Sequence, residues 1–240
     1  MGVGERDARA NAATITVAAS DSPYRTRADY VCDGTDDGVE VSAAVEKIKT
    51  AGGTVKLMEL IEEAQTRAAE LVKQKNPDIA DDELKNIARV VGIGALKYAD
   101  LAQNRSSDYI FAWNKMLSME GNTAPYMQYA YARVKSIFRK GGEESAVREF
   151  VLADDAERAL GVKLSQFGET LDAVAATAMP NILCAYLFEL AGAFMSFYEK
   201  CPVLKADGAV RANRLGLCEL TARVIRQGLA LLGIETLEQM

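Results

Sequence analysis

The side chains best able to do chemistry crowd into one segment, APYMQYAYARVKSIFRK (124–140), where Tyr126, Tyr129 and Tyr131 are followed by Arg133, Lys135, Arg139 and Lys140. A phenol offers an apolar ring with a hydrogen-bonding tip, and the cations that follow suit an anionic partner. A core helix needs fewer hydroxyls than this, and a solvated helix fewer rings. The formal net charge is −6 and the pI about 5.0, which excludes a histone-like, charge-driven binder. Any nucleic-acid contact has to come from shape and from local basic strips.

Other chemistry is scarce. The chain has no histidine, which removes every Ser-His or Cys-His arrangement and the commonest general base. Its four cysteines, Cys32, Cys184, Cys201 and Cys218, have no C-x-x-C spacing. They are expected to be reduced and mostly buried thiols rather than disulfides or zinc ligands. Asp33, Asp36 and Asp37 in VCDGTDDGVE (31–40) could bind a cation; turn and N-cap chemistry for Asp-Gly-Thr-Asp-Asp weighs more, and no metal site is assigned.

The elements that must position these residues are mainly helical. At 240 residues and 49% hydrophobic, the chain can build one large core or two modest ones. Residues 1–55 differ from the rest: ATITVAA (13–19) favours a short strand, and VEVSAAVEKIKTAGGTVKL (39–57) a short helix ended at Gly52-Gly53 and then a strand. From Lys56 the pattern is helical. Leu57, Leu60, Ile61, Ala64, Ala68 and Leu71 share one face of 57–76, Asn76-Pro77-Asp78 stops that helix, and 79–103 restarts behind an acidic first turn. The segment 179–204 opens at Pro180, is densely apolar, and ends before Pro202, as expected for the centre of a bundle. In 214–234 the apolar repeat runs through Leu217, Leu220, Val224, Ile225 and Leu231 to a stop at Gly233. The polar stretch 141–160 is expected to hold the longest loop. No apolar run of the ~20 residues that span a bilayer is apparent, the opening MGVGERDARANAAT is too polar for a secretory leader, and a cytoplasmic protein is expected.

Four blocks resemble, in order, the C-terminal part of arginyl-tRNA synthetases: VGIGALKYADL (91–101), SSDYIFAWNKMLSMEGNTAPYMQYAYARVKSI (106–137), FELAGAFMSFYEKCPVL (188–204) and RLGLCELTARVIRQGLALLGIETLEQM (214–240). The resemblance covers about 57–240. It implies connector helices over 56–118 and an all-helical anticodon-binding domain over 119–240, with an arginine tRNA as partner. It also implies that the helix entered through EGNTAP faces the tRNA, so that Tyr126, Tyr129 and Arg133 can meet sugar and phosphate. Tyr198 and the terminal Met240 match positions that touch anticodon bases, for which a ring face and a thioether are suited. The plainer readings stay open: bundle core for the three tyrosines, and a frayed end for Met240.

The same resemblance marks what the chain does not carry. The family stabilises the transferring phosphate of ATP with a His-Ile-Gly-His type signature and a Lys-Met-Ser-Lys type loop. Without histidine the first is missing, and KIKTAGGT (47–54) stands where the second is expected. No catalytic residue or cofactor site is therefore assigned, and the chain by itself is expected not to activate arginine. It would be an inactive fragment or one half of a split enzyme, with a missing catalytic half or a second copy against its connector helices. Residues 13–57 resemble instead the opening of a parallel β-helix of the pectate-lyase or tailspike type, which would place a seam between unrelated pieces near 53–57.

Overall fold

The computed structural model describes residues 57–106, 111–141 and 150–240. The strand of 13–19, the acids Asp33, Asp36 and Asp37, the helix and strand of 39–56, and Cys32 lie outside the described residues. Among those described there is no strand; eight helices account for the regular structure, which is the mainly α bundle the sequence predicts. Ile61–Arg105 and Asn114–Met240 form one compact unit. Of the other unit, the described part includes Phe111 and Trp113, whose rings meet edge to face at 4.9 Å.

Helix α1 (Leu57–Lys75) ends at Asn76-Pro77, where the proline cannot supply the next backbone donor, and α2 (Asp81–Leu101) begins with Asp81, Asp82 and Glu83 in its first turn. These carboxylates complement the positive end of the helix dipole in place of a side-chain cap, which Ala80 cannot provide. The apolar stripe expected on α1 is only partly used. Ala64 and Ala68 are buried, whereas Leu57 and Leu71 are exposed. The small residues face inward because α1 crosses α2 closely: a Cβ on Gly92 would lie 2.8 Å from the Ala64 carbonyl carbon. Leucines cannot occupy so narrow a gap.

After a single turn, α3 (Trp113–Met116), comes α4 (Ala124–Gly141). Helices α5 (Asp155–Ser165) and α6 (Phe167–Thr177) follow within and beyond the stretch read as polar loop, and Asp154 opens α5 with a capping box: its carboxylate accepts from the Ala156 amide while Glu157 accepts from the backbone of residue 154. Helix α7 (Pro180–Lys200) starts on its proline and stops before Pro202; α8 (Gly208–Leu231) stops before Gly233, whose φ of 69° is one that glycine alone adopts without strain.

Helix α7 is the centre of the bundle, packed by α2, α4, α5, α6 and α8. Leu183, Leu187, Leu190, Ala191, Phe194 and Phe197 are buried within it. Among the described residues it is also the helix long and apolar enough to cross a membrane on length and composition, a run the sequence reading overlooked; packing on five neighbours accounts for its apolarity. The inward stripe of α8 departs from the one expected. Leu220 and Leu231 are exposed, and the stripe consists of Leu217, Cys218, Thr221, Ile225, Gly228 and Leu229. Small residues are needed there because Leu187 fills the space a side chain at Gly228 would take, its Cδ2 only 2.6 Å from such a Cβ. Cys184, Cys201 and Cys218 are free, buried thiols; burial pushes Cys184 and Cys218 up to about 12 and Cys201 to about 11.

Candidate nucleic-acid interface

The site grows from the way α4 is started. Gly121 takes a φ of 81°, turning the chain so that Thr123 caps the helix: its hydroxyl donates to the Ser118 carbonyl (2.7 Å) and accepts from the Tyr126 amide (3.2 Å). Asn122 is held by the buried Tyr98 of α2. The Tyr98 hydroxyl donates to the Cys184 carbonyl of α7 (2.8 Å) and meets the Asn122 side-chain amide (2.7 Å). The EGNTAP entry is thus a turn, a cap and an anchor to two other helices, and it sets the direction and rotation of α4.

With that rotation fixed, 3.6 residues per turn sort the polar side chains of α4 into two stripes on roughly opposite sides of the helix. The first contains Tyr126, Tyr129 and Arg133. Nη1 of Arg133 donates to the Tyr129 hydroxyl (3.3 Å), and the guanidinium lies 4.9 Å above the centre of the Tyr198 ring, which reaches over from α7. Tyr198 also packs against the Phe194 ring, tilted by 34°, with 6.1 Å between ring centres. The result is a contact cluster of a buried ring, a half-buried ring and a half-buried guanidinium. Tyr126 lies two turns before Arg133 on the same stripe. Its ring meets Phe188 edge to face at 5.9 Å, and burial together with the nearby Glu199 carboxylate raises its hydroxyl above the ordinary phenol range.

The second stripe contains Tyr131, Lys135 and Arg139, and all three grip the chain's own C-terminal segment. The Tyr131 hydroxyl donates to Glu238 Oε1 (2.8 Å), Lys135 pairs with Oε2 (3.4 Å), and Arg139 donates to the Glu238 carbonyl (2.6 Å). Burial and this carboxylate raise the Tyr131 hydroxyl, against a smaller opposing effect of Arg226 from α8. Upstream, Arg89 of α2 makes a two-pronged pair with Glu235 (2.7 and 2.9 Å), and Lys97 donates to the Gly233 carbonyl (2.5 Å). The fully buried Gln128 of α4 donates to the carbonyls of Glu235 (2.9 Å) and Val90 (3.3 Å). Ile234 and Leu237 are buried between these ties.

Three of the five residues singled out in the sequence, Tyr129, Arg133 and Tyr198, therefore meet in one contact cluster, and Tyr126 extends their stripe. Met240 stands apart from that cluster, 41% exposed at the end of the segment fixed by Glu238. The ties reach Glu238, two residues short of the end at Met240 that the frayed reading concerns. Arg89, Gln128, Glu235 and Glu238 were missed. The four-residue spacing of Tyr131, Lys135 and Arg139 puts three donors on one face of the helix, but no local pattern names their partner.

Two family models match. Residues 127–240 match the DALR anticodon binding domain, and residues 34–113 match the class I (R) tRNA synthetase catalytic domain. The arginine–tRNA ligase of Cellvibrio japonicus is 56% identical over 193 residues, 79% of this chain and 33% of that protein. The ligase of Laribacter hongkongensis is 49% identical over 231 residues, 95% of this chain and 39% of that protein. Of solved structures, the Thermus thermophilus arginyl-tRNA synthetase superposes with a TM-score of 0.72 at 36% identity, over 78% of this chain and 33% of that one. The Plasmodium falciparum enzyme gives 0.69 at 30% identity, over 78% and 34%. The chain thus spans about a third of the length of the relatives it matches.

These matches correct the reading of the N-terminal segment as a β-helix. The catalytic-domain model runs from residue 34 across Gly52-Gly53, where a seam was expected, and the Laribacter alignment reaches well into residues 1–56. Asp-Gly-Thr-Asp-Asp is turn chemistry shared by unrelated folds, too short to name one. By fold and by sequence the chain matches the C-terminal region of arginyl-tRNA synthetases: a DALR anticodon-binding domain preceded by part of the class I catalytic domain.

Proposed function

We propose that this chain reads the anticodon loop of an arginine tRNA, as the anticodon-binding portion of an arginine–tRNA ligase acting in the cytoplasm. The observation that carries the reading is the half-buried Arg133–Tyr198 pair, guanidinium to ring centre 4.9 Å, on the stripe of α4 that the C-terminal segment leaves free. An unstacked anticodon base finds there a ring face or a guanidinium plane to lie on, and stacking of this kind contributes ~1–3 kcal/mol per base. Arg133, Tyr129 and Tyr126 follow with a cation and hydroxyls for the sugar and phosphate, and Met240 offers a thioether to a second splayed base.

Arginine activation with ATP is not assigned to this chain's own residues. It has no histidine and so cannot itself provide the histidine pair of the signature that stabilises the transferring phosphate. In this reading a catalytic centre carried by further sequence, in the same or a second polypeptide, completes the ligase. Residues 56–118 connect to it, and the exposed Leu57, Met58 and Leu71 of α1 belong to the covered surface.

The test is a titration of the chain with an arginine tRNA transcript at low salt, beside a transcript with the central anticodon base changed. The expected result is binding that the base change weakens at least tenfold, a difference of ~1.4 kcal/mol, with a shallow salt dependence because few phosphates are met. Equal binding of the two transcripts, or none, overturns the proposal.

A further inference from the structure

We infer that Glu238 is a specificity-positioning residue: clamped by Tyr131, Lys135 and Arg139, it fixes the last residues of the chain so that Met240 is presented in one place. The inference rests on the anticodon reading above. Its own support is geometric. A chain end is ordinarily the most mobile part of a domain, yet residues 233–238 are tied by Lys97 to the Gly233 carbonyl (2.5 Å), by Arg89 to the Glu235 carboxylate (2.7 Å), by Gln128 to the Glu235 carbonyl (2.9 Å), and by three α4 side chains to Glu238. Gln128 is fully buried, and its amide nitrogen donates to two backbone carbonyls, one of them in this segment.

Glu238 differs from the other ties in what its neighbours are. Lys135 and Arg139, with Arg226 close to the same Tyr131 hydroxyl, make a cationic strip on α4 and α8 that would otherwise attract any RNA backbone. Glu238 places a carboxylate against that strip and turns it from a non-specific phosphate contact into an anchor for the chain end. Its removal therefore has two opposite consequences. The freed Lys135 strengthens binding to RNA of any sequence, while Met240 loses its fixed position and the base preference weakens. A residue that merely held the fold together would lower both together.

The experiment uses the whole chain with methyl-labelled methionine, and compares the wild type with Glu238→Ala and Glu238→Gln. Two quantities are read: the Met240 methyl resonance, and the ratio of affinities for the arginine transcript and its central-base variant. Glu238→Ala is expected to move the Met240 methyl to the position and line width of an unstructured methionine. It should also raise affinity for the variant transcript with a steeper salt dependence, and cut the discrimination ratio to about twofold or less. Glu238→Gln, which keeps one oxygen to accept from Tyr131 but gives up the charge and the second oxygen that faces Lys135, is expected to keep the methyl position and to lose less of the ratio than the alanine. A Glu238→Ala chain whose methyl resonance and ratio are unchanged overturns the inference, as does loss of affinity for both transcripts in equal proportion. A wild type without discrimination refutes the anticodon reading instead. The methyl resonance then still decides the positional part, and an unmoved signal in Glu238→Ala overturns it independently.

Discussion

Glu157→Ala is the substitution whose cost the structure specifies most closely. The Glu157 side chain is 3% exposed at the start of α5; Oε1 pairs with Nε of Arg214 on α8 at 2.7 Å, and Oε2 accepts from the amides of Ala153 (2.9 Å) and Asp154 (3.1 Å). Alanine removes all three interactions at once. Breaking one side of a buried pair costs ~3–5 kcal/mol. Arg214 retains the Pro202 carbonyl at 3.0 Å and 16% exposure, which puts the expected loss at the lower end, about 3 kcal/mol. For a domain of this size that is a fall in Tm of roughly 6–12 °C. Pairing Glu157→Ala with Arg214→Met should recover part of the loss, since the second change removes the orphaned cation. The pH dependence gives a second readout. Burial would raise the Glu157 carboxyl, but Arg214 and the two amides outweigh it and hold it below its ordinary value. A folded pKa below the unfolded one means stability that is present above the unfolded value and is lost as pH falls through the folded one. Urea titrations of wild type and Glu157→Gln should therefore differ by a constant amount near neutral pH and converge below about pH 4. Parallel stabilities over that whole range, or a cost for Glu157→Ala under about 1 kcal/mol, would refute the reasoning.

Three further outcomes follow from single contacts. Gly92→Ala should separate α1 from α2, because the new methyl meets backbone atoms of Ala64 and Gln65 at 2.8 to 2.9 Å; about 1–3 kcal/mol is expected, seen as faster amide exchange in α1 before the rest of the unit. Tyr98→Phe deprives the Cys184 carbonyl and Asn122 of their partner and should cost ~1–3 kcal/mol in urea. Cys184, Cys201 and Cys218, raised to about 11–12 by burial, should resist iodoacetamide at pH 8 and react after unfolding, site by site in a mass spectrum.

Much of the fold was legible because its punctuation is local. Pro77, Pro180, Pro202 and Gly233 end or start helices for reasons confined to one or two residues, and each falls where the sequence places it. The faces of α1 and α8 were harder. Periodicity counts large apolar side chains, while the structure buries Ala64, Ala68, Cys218, Thr221 and Gly228 and exposes Leu57, Leu71, Leu220 and Leu231. Close helix crossings select small residues, and whether a crossing is close depends on the partner helix. The candidate site divides in the same way. Tyr129 and Arg133 are neighbours by helical spacing alone, but that Tyr198 comes to lie under Arg133 depends on the packing of α7 against α4. The tail contacts were invisible for a stronger reason: Tyr131 and Glu238 are 107 positions apart, and no local pattern joins them.

Under the anticodon reading proposed above, the double stripe also accounts for how an acidic chain could offer a surface to RNA. Net charge is an average, whereas an RNA contact samples only the few ångströms around each phosphate, within a screening length of ~8–10 Å at ordinary salt. On α4 the two kinds of cation are kept apart by helical rotation. Lys135 pairs with the Glu238 carboxylate and Arg139 is held on the Glu238 carbonyl within the chain; Arg133 is held by a ring and a hydroxyl, neither of which neutralises it. One helix can therefore serve as anchor for the chain end on one side and as a cationic contact on the other. The substitution Arg133→Lys would test that division of labour. The charge would remain, but the planar overlap with Tyr198 would be lost. Affinity for RNA in general should then hold, while the preference between the two anticodon transcripts falls severalfold; an Arg133→Lys chain that keeps its full preference would show that charge alone at this position suffices.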